Sequence, residues 1–340
     1  MKEIIVGVNE EGKRLDGFLK SYLPNASKGF IYKMLRKKNI TLNDKKADGL
    51  EKLANEDSIK IFFSDETLMK FKGESAANGR ADNLDAEKID LSKYGDVSVL
   101  FENDHVLFAS KPAGLLSQKA DANDMSINDF LIDYLLKNKK ITPESLDTYR
   151  PSICNRLDRN TSGMVICAKS LVGARCMNTM LSDRTLDKYY IAVVSGLIEK
   201  DSLLKGYLKK DTDLNKVDIL KEDPKDSNYS YIETYFTPVN YNSDSDTTVL
   251  LVKLITGKPH QIRAHLSKTG HPIIGDSKYG GRKVKGIGRQ LLHSYKISFP
   301  ENMPDTLCDL SGKEFIAPLP AEFALFCSGG DLCLHGKQGD

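Results

Sequence analysis

The stretch of the chain best suited to chemistry is one acidic side chain held between two basic ones. Asp158 lies between Arg156 and Arg159 in the segment N-R-L-D-R-N-T-S-G, and an apolar run follows at residues 164–168. Two guanidinium groups favour an ionised carboxylate, and a Thr-Ser-Gly turn supplies donors that can fix its direction. The segment therefore allows two interpretations: a catalytic carboxylate at the start of a strand, or an ion-paired turn that only packs.

These nine residues resemble a family signature. The segment is similar to the H-R-L-D-R-x-T-S-G motif of the RluA-type RNA pseudouridine synthases, with Asn155 in place of the usual histidine. The resemblance implies that Asp158 is catalytic. The implied reaction isomerises uridine to its C-glycoside: the glycosidic bond breaks, the uracil turns, and carbon five joins the sugar. One carboxylate acts near the anomeric carbon, as nucleophile or as base, and neither a cofactor nor a metal is expected.

A second motif of that family appears as T-G-K-P-H-Q-I-R, where the usual form is T-G-R-T-H-Q-I-R, so Lys258 and Pro259 depart from it. By resemblance, Arg263 is the cationic partner that keeps the catalytic carboxylate ionised. Lys258, His260 and Gln261 are assigned to RNA contact. Lysine keeps the charge of arginine but not its fork of donors, so a weaker phosphate contact is expected at 258. Without the resemblance, Arg263 would be interpreted as a charge on a surface helix.

The third motif is K-x-Y, present as Lys188 and Tyr190 on one face of a strand predicted at residues 188–196. The resemblance implies that the Tyr190 ring lies against the target base, that its hydroxyl serves proton transfer at carbon five, and that Lys188 contacts RNA. A core tyrosine is the alternative. Arg156 corresponds to the residue that fills the gap left by an extruded base, with an ion pair as the alternative, and Arg159 is assigned to RNA contact.

The first 63 residues predict a small basic module. Two amphipathic helices are expected at residues 12–23 and 28–37, followed by a short hairpin and a strand. This segment holds 13 lysine and arginine residues against 9 acidic ones, and it is similar to the RNA-binding module first named from ribosomal protein S-four. A solvated lysine face is the alternative. One face of the second helix is predicted to contact phosphates through Lys28, Lys33, Arg36 and Lys37.

The rest of the chain predicts one larger domain. Residues 64–95 lose periodicity and indicate a flexible linker, with a strap packed on the next domain as the alternative. Residues 96–328 are predicted to form the catalytic domain, and residues 329–340 a flexible tail. Strands in hairpins with helices between them indicate an α+β fold with a mixed, largely antiparallel sheet. Residues 206–217 are expected to be loop-rich, and the turn K-P-A-G-L recurs in the resembled family near the cleft.

The composition is that of a globular protein, with 340 residues, 40% apolar and 28% charged. No apolar run reaches the ~18 residues of a membrane helix, and the early acidic residues do not fit a signal peptide. The six cysteines form no C-x-x-C pair, and the six histidines form no helical zinc pair. We therefore expect a monomeric cytoplasmic protein with an RNA partner and without a disulfide framework, metal site or membrane partner.

Together these features predict an enzyme that isomerises uridine to pseudouridine in RNA, with large-subunit ribosomal RNA as the expected substrate. Two alternatives belong to other classes. A non-catalytic RNA-binding or ribosome-assembly protein on the same fold would have no reason to keep Asp158, Tyr190 and Arg263. A glycosidase works with paired carboxylates, and Asp158 has no obvious carboxylate partner in the sequence.

Overall fold

The structure is a computed structural model that describes residues 1–7, 9–72, 86–211 and 216–327. Contacts between residues divide the chain into two compact units. The first unit comprises Met1–Lys93, Asp129–Ser152 and Ala168–Arg175. The second comprises Tyr94–Asn128, Ile153–Cys167 and the residues from Cys176 onward. The predicted tail lies outside the described residues. Within them, no helix is long and apolar enough to cross a membrane.

Helices and strands alternate irregularly along the described residues. The α-helices are α1 (Leu15–Tyr22), α2 (Lys28–Arg36), α3 (Asp65–Lys72), α4 (Ile127–Lys137), α5 (Leu171–Ser182) and α6 (Gln261–Lys268). The strands are β1 (Lys2–Ile5), β2 (Ile40–Leu42), β3 (Lys45–Lys46), β4 (Ser58–Ile61), β5 (Ser98–Glu102), β6 (Val106–Lys111), β7 (Ser152–Ile153), β8 (Ser162–Ala168), β9 (Asp187–Ser195), β10 (Ser202–Asp211), β11 (Lys216–Leu220), β12 (Ser230–Asn242), β13 (Thr247–Leu254), β14 (Leu292–Ser298) and β15 (Glu314–Ile316).

The first unit is built on a four-stranded sheet in the order β1-β4-β2-β3. Helices α1 and α2 bury apolar residues at helical spacing, among them Leu15, Leu19, Ile31 and Leu35. Helix α2 begins where the Ser27 side chain accepts a hydrogen bond from the Phe30 backbone N–H at 3.2 Å. Both predicted helices are therefore confirmed, because their apolar faces have a sheet and each other to pack against.

Part of the segment predicted as a linker is helical. In α3, the Phe71 ring packs on Phe30 with centroids 4.2 Å apart. The Lys72 ammonium lies 2.6 Å from the Asp147 carboxylate and over the Tyr22 ring. These contacts with residues distant in sequence stabilise a helix that periodicity alone did not indicate. Residues 73–85 lie outside the described residues, and the domain boundaries stay predictions.

The second unit is organised around one large mixed sheet, in the order β11-β10-β12-β13-β9-β14-β8-β6-β5. Strand β15 pairs with β14, and β7 pairs with β8. Among the pairs with a described register, β14 and β8 are parallel and the others antiparallel. The predicted α+β fold with a mixed, largely antiparallel sheet is confirmed.

The expectation of a loop-rich stretch at residues 206–217 is wrong. Strands β10 and β11 form an antiparallel hairpin there, with Tyr207 opposite Leu220. Leu208, Val217 and Ile219 are buried together on its inner face. The charged residues that suggested a loop alternate with these apolar ones, which is the pattern of strands with one solvated face.

Close approach of β8 to β14 fixes the strand that follows the Asp158 loop. Gly163 lies opposite Ser294 in the parallel pair. Gly163 has φ +106°, and a Cβ there would lie 2.2 Å from the Ser294 carbonyl oxygen, so only glycine fits. Next to it, Ser162 Oγ lies 2.8 Å from Nδ1 of the buried His293, whose Nε2 lies 3.3 Å from the Ala317 carbonyl. The Thr-Ser-Gly turn thus serves sheet pairing.

A buried lysine supports the loop that carries Asp158. Lys111 is 1% exposed, and its ammonium donates to the carbonyls of Pro112, Leu115 and Arg159 at 3.0, 2.8 and 3.1 Å. Burial lowers the pKa of Lys111 to about 7, although the charge on Asp158 opposes that effect. The lysine of the K-P-A-G-L turn therefore joins the turn to the loop at Arg159.

Two further side chains hold the backbone of this loop. Ser117 Oγ donates to the Leu157 carbonyl at 2.7 Å and accepts from the Leu157 N–H at 2.9 Å. Asn155 Oδ1 accepts from the Ile166 N–H at 2.7 Å. The asparagine that replaces the usual histidine therefore ties the start of the loop to β8.

We predict that Lys111→Met destabilises the second unit. Methionine has a similar length but no donors, so three partly buried carbonyls lose the donor they share, which costs about 1–3 kcal/mol in free energy of unfolding. Urea titration at neutral pH measures the change. The exposed lysine variant Lys313→Met serves as the control, with an expected change within about 0.5 kcal/mol. Equal stability of the two variants would contradict the supporting role of Lys111.

We also predict acid sensitivity from His293. Burial lowers its pKa to about 4, although the Ala317 carbonyl opposes the shift. The unfolded chain, with a histidine pKa of about 6.5, binds more protons below that pH, so the free energy of unfolding falls as the pH drops from 6.5 to 4. His293→Gln should flatten that dependence. Urea titrations between pH 7 and 4.5 test it, and equal slopes for the two proteins would contradict it.

Candidate active site

A cleft of about 750 Å³ in the second unit gathers most of the predicted site residues. Those that line it are Arg156, Asp158, Lys188, Tyr190, Lys258, His260, Gln261 and Arg263. Arg159 is not among the lining residues, because its Nε donates to the Gly114 carbonyl at 3.1 Å. The predicted RNA-contact residues of α2 lie in the first unit. The structure therefore brings together the three family motifs.

The centre of the cleft is an ion pair between the two residues predicted to be partners. Arg263 Nη1 donates to Asp158 Oδ2 at 2.7 Å, across 105 positions of sequence. The Asp158 side chain is 27% exposed and that of Arg263 only 8% exposed. Asp158 reaches the cleft from the loop before β8, and Arg263 from the first turn of α6. The carboxylate is thus open on the cleft side and held from the protein side.

A second carboxylate, that of Asp276, also pairs with Arg263. Asp276, 1% exposed, accepts from Arg263 Nε at 2.7 Å and from Nη2 at 2.8 Å, in a two-pronged contact. Burial alone would lower the pKa of Arg263, but Asp276 first and Asp158 second raise it. The guanidinium therefore stays charged inside the protein. Sequence reasoning missed Asp276, because the pairing depends on how the segment that follows α6 folds back onto that helix.

Tyr279 and His260 lie against the same arginine. The Tyr279 ring centroid is 5.0 Å from the guanidinium carbon, and its hydroxyl lies 2.9 Å from His260 Nδ1. The Val217 N–H donates to that hydroxyl oxygen at 3.0 Å. His260 precedes α6 with φ +55° and brings Nε2 to 3.8 Å from Asp158 Oδ2. Tyr279 was not predicted, and His260 lies nearer the Asp158 carboxylate than an RNA-contact assignment implies.

Tyr190 projects from β9 toward the cleft and is 7% exposed. It pairs with Val252 on one side and Ser294 on the other. Burial raises the pKa of Tyr190 to about 12, helped by the charge on Asp158 and opposed by a hydrogen bond with Ser294. Its phenol is therefore protonated at neutral pH and lies within the electrostatic reach of Asp158.

Gln261 and Lys258, two other residues of the second motif, differ in how exposed their side chains are. Gln261 is 1% exposed and donates to the Glu233 carbonyl at 2.8 Å and to Thr234 Oγ1 at 2.9 Å. Its Oε1 accepts from Thr256 Oγ1 and from the Lys258 N–H. Gln261 thus shapes the turn before α6, while the Lys258 side chain is exposed at the cleft. RNA contact by either stays a prediction.

Several basic side chains line the cleft around Asp158. Lys188 lines the cleft two residues before Tyr190, and burial lowers its pKa, with Arg184 adding to the effect. Arg184 and Lys119 also line the cleft and were not predicted. Among the described residues, no group of three or more His, Cys, Asp or Glu side chains could hold a metal ion. A carboxylate beside a protonated phenol in a cationic cleft suits nucleophilic or base chemistry on a polyanion.

Comparisons with known proteins agree with this geometry. Residues 105–268 match the family described as RNA pseudouridylate synthase. The chain is 30% identical over 297 residues to the ribosomal large subunit pseudouridine synthase C of Rickettsia bellii, covering 86% of this chain and 92% of that protein. It is 29% identical over 326 residues to the ribosomal large subunit pseudouridine synthase D of Borreliella burgdorferi, covering 94% and 90%.

A solved structure shares the fold. The human RNA pseudouridylate synthase domain containing 4 superposes with a TM-score of 0.51 at 19% identity, over 66% of this chain and 90% of that one. The identity of 30% across most of both chains, the matched family region and the assembled motifs lead to one conclusion. This chain belongs to the RluA-type RNA pseudouridine synthases and is an isomerase of uridine in RNA.

Proposed function

We propose that this chain forms pseudouridine in large-subunit ribosomal RNA and that Asp158 carries the chemistry. The observation that supports the catalytic assignment is the Asp158 carboxylate, 27% exposed at a cleft and held by Arg263 at 2.7 Å. The names of the relatives from Rickettsia bellii and Borreliella burgdorferi support the choice of RNA. Both relatives match along most of their length, so the comparison covers whole proteins.

The reaction rearranges one nucleotide without loss of atoms. The bond between the anomeric carbon and nitrogen one breaks, and the uracil takes the electron pair. After the base turns, carbon five bonds to the anomeric carbon, carbon five loses a proton and nitrogen one gains one. Asp158 acts beside the anomeric carbon, as nucleophile or as base. Its Oδ2 accepts a hydrogen bond from Arg263, which is itself held charged by Asp276.

Tyr190 is proposed to contact the uracil. Its raised pKa keeps the phenol protonated at neutral pH, so the hydroxyl is a donor and the ring is an uncharged surface. A hydroxyl near Asp158 can pass a proton to or from carbon five during the exchange. Arg156, exposed at the cleft, is proposed to fill the space of the extruded base, since a planar guanidinium stacks on neighbouring bases.

The non-catalytic alternative is not favoured. A protein that only binds RNA needs phosphate contacts but no ionised carboxylate with a protected arginine partner. Here Asp158, Arg263 and Tyr190 converge on one cleft from three separate elements. Burying Arg263 between two carboxylates also has a desolvation cost. Binding RNA phosphates requires only exposed cations and would not need this buried arrangement.

RNA binding by the first unit is proposed to involve the exposed face of α2. Lys28, Lys33, Arg36 and Lys37 are all exposed there. Within the described residues none of the four forms an ion pair. Free cations on a rigid helix can each displace a counterion from a phosphate, which gives affinity and orientation rather than sequence choice.

For the catalytic assignment we predict that Asp158→Asn lowers pseudouridine formation by at least about 10³-fold, in the upper range of positioned acid–base groups. Affinity for ribosomal RNA should stay within about tenfold, because phosphate contacts elsewhere dominate it. Folding should change little, since Asp276 still pairs with Arg263. Asp133→Asn, which breaks an ion pair with Lys93 in the first unit, is the stability control. Pseudouridine mapping and a binding titration give the readout, and full activity would refute the assignment.

For the first unit we predict that Lys33→Gln/Lys37→Gln reduces the salt dependence of RNA binding. Loss of two phosphate contacts should lower the slope of log Kd against log salt by about 1.4–1.8. The control Lys139→Asn/Lys140→Gln removes the same charge from exposed lysines after α4, and asparagine suits the φ of +55° at residue 139. Identical slopes for the two double variants would show that α2 does not contact phosphate.

A further inference from the structure

Arg263 contacts the two carboxylates in different ways. Its Nε and Nη2 edge is filled by the two oxygens of Asp276, at 2.7 and 2.8 Å. Of the donors that remain at the far end of the guanidinium, only Nη1 contacts Asp158, and it reaches a single oxygen, Oδ2, at 2.7 Å. A guanidinium prefers to bind a carboxylate through two parallel hydrogen bonds. Arg263 makes that preferred contact with the buried Asp276 and an end-on contact with Asp158.

This arrangement distinguishes the two oxygens of Asp158. Both contacts to its carboxylate within the described residues, from Arg263 Nη1 and from His260 Nε2 at 3.8 Å, involve Oδ2. Oδ1 accepts no hydrogen bond from the described part of the chain. Its lone pairs are therefore available to a substrate in the cleft, whereas those of Oδ2 face cationic and polar groups.

We propose that Asp276 is a positioning residue for catalysis: by holding the Nε and Nη2 edge, it fixes the guanidinium in the orientation in which only Nη1 meets Asp158, and so leaves Oδ1 as the oxygen that reacts. If the fork turned to Asp158, both oxygens would accept strong hydrogen bonds, and each would become a weaker nucleophile and a weaker base. The inference rests on the proposed role of Asp158 and applies to either of its chemical roles.

Tyr279 and His260 also place their contacts on Arg263 and on Oδ2 of Asp158 rather than on Oδ1. The Tyr279 hydroxyl oxygen accepts from the Val217 N–H, and its own proton can go to His260 Nδ1, 2.9 Å away. The other ring nitrogen then carries the proton and points toward Asp158 Oδ2. Burial lowers the pKa of His260, in keeping with a neutral ring that has one N–H. The Tyr279 ring also covers the guanidinium at 5.0 Å, which restricts its rotation.

The test is Asp276→Asn combined with Arg263→Met in a double-mutant cycle. Asparagine has the size of aspartate but lacks the charge and the second acceptor, so Arg263 is released to turn toward Asp158. We expect kcat to fall about 100-fold, the scale of a misplaced reacting group, with KM within about threefold. In the Arg263→Met background the same change should alter kcat less than about threefold, because Asp276 acts through Arg263.

A purely structural role gives a different pattern. If Asp276 only supported the fold, Asp276→Asn would lower kcat by a similar factor in both backgrounds, and that result would overturn the proposal. If the single variant does not fold, the double variant lacks both buried charges and still allows comparison with Arg263→Met. A further tenfold loss of kcat in the double variant would overturn the proposal, and equal kcat would support it.

A structural measurement separates this inference from the proposed function. The crystal structure of Asp276→Asn should show Arg263 bonded to both oxygens of Asp158, and Arg263 left on Oδ2 alone would overturn the proposal. This outcome does not depend on which RNA is modified. Absence of pseudouridine in ribosomal RNA treated with the unaltered protein would instead refute the proposed function and leave the geometric result standing.

Discussion

One buried guanidinium, shared between two carboxylates, is the interaction on which the site depends. An arginine that is 6% exposed needs an anionic partner to stay inside the protein, and Asp276 provides it with well-formed geometry. Because Asp276 already meets the need of Arg263 for an anionic partner, Asp158 can stay partly open to the cleft. The pair of Arg263 and Asp276 is a fixed buried support, and Asp158 is joined to it by one hydrogen bond.

The elements that carry Asp158 and Arg263 are held in place by contacts that do not involve either side chain. Strand β8 is buried along its whole length, and Lys111 joins the loop before it to the turn after β6. Helix α6 is held by the Gln261 amide, which bonds to β12 and to the turn before the helix. The backbone segments that carry Asp158 and Arg263 are therefore each held by contacts outside the ion pair that joins the two side chains.

The residues that line the cleft could largely be predicted from sequence, but the residues that support them, Asp276 and Tyr279, could not. The motifs around Asp158, Tyr190 and Arg263 are contiguous and resemble known ones, so their convergence could be foreseen. The pairing of Asp276 with Arg263, and of Tyr279 with His260, depends on how a turn folds back over α6, which has no periodic signal. The α2 helix was predictable because its apolar spacing matches its packing, whereas the β10–β11 hairpin was obscured by the charged residues of its solvated face.

The parallel contact between Gly163 and Ser294 has a consequence for the order of assembly. Strand β8, which follows the loop carrying Asp158, can pair with β14 only after that strand, more than a hundred residues later in the chain, has been made. Contacts of such long range form late, because the intervening chain must first be ordered. During synthesis Asp158 therefore emerges long before its ion-pair partner Arg263 and the strand that pairs with β8 exist.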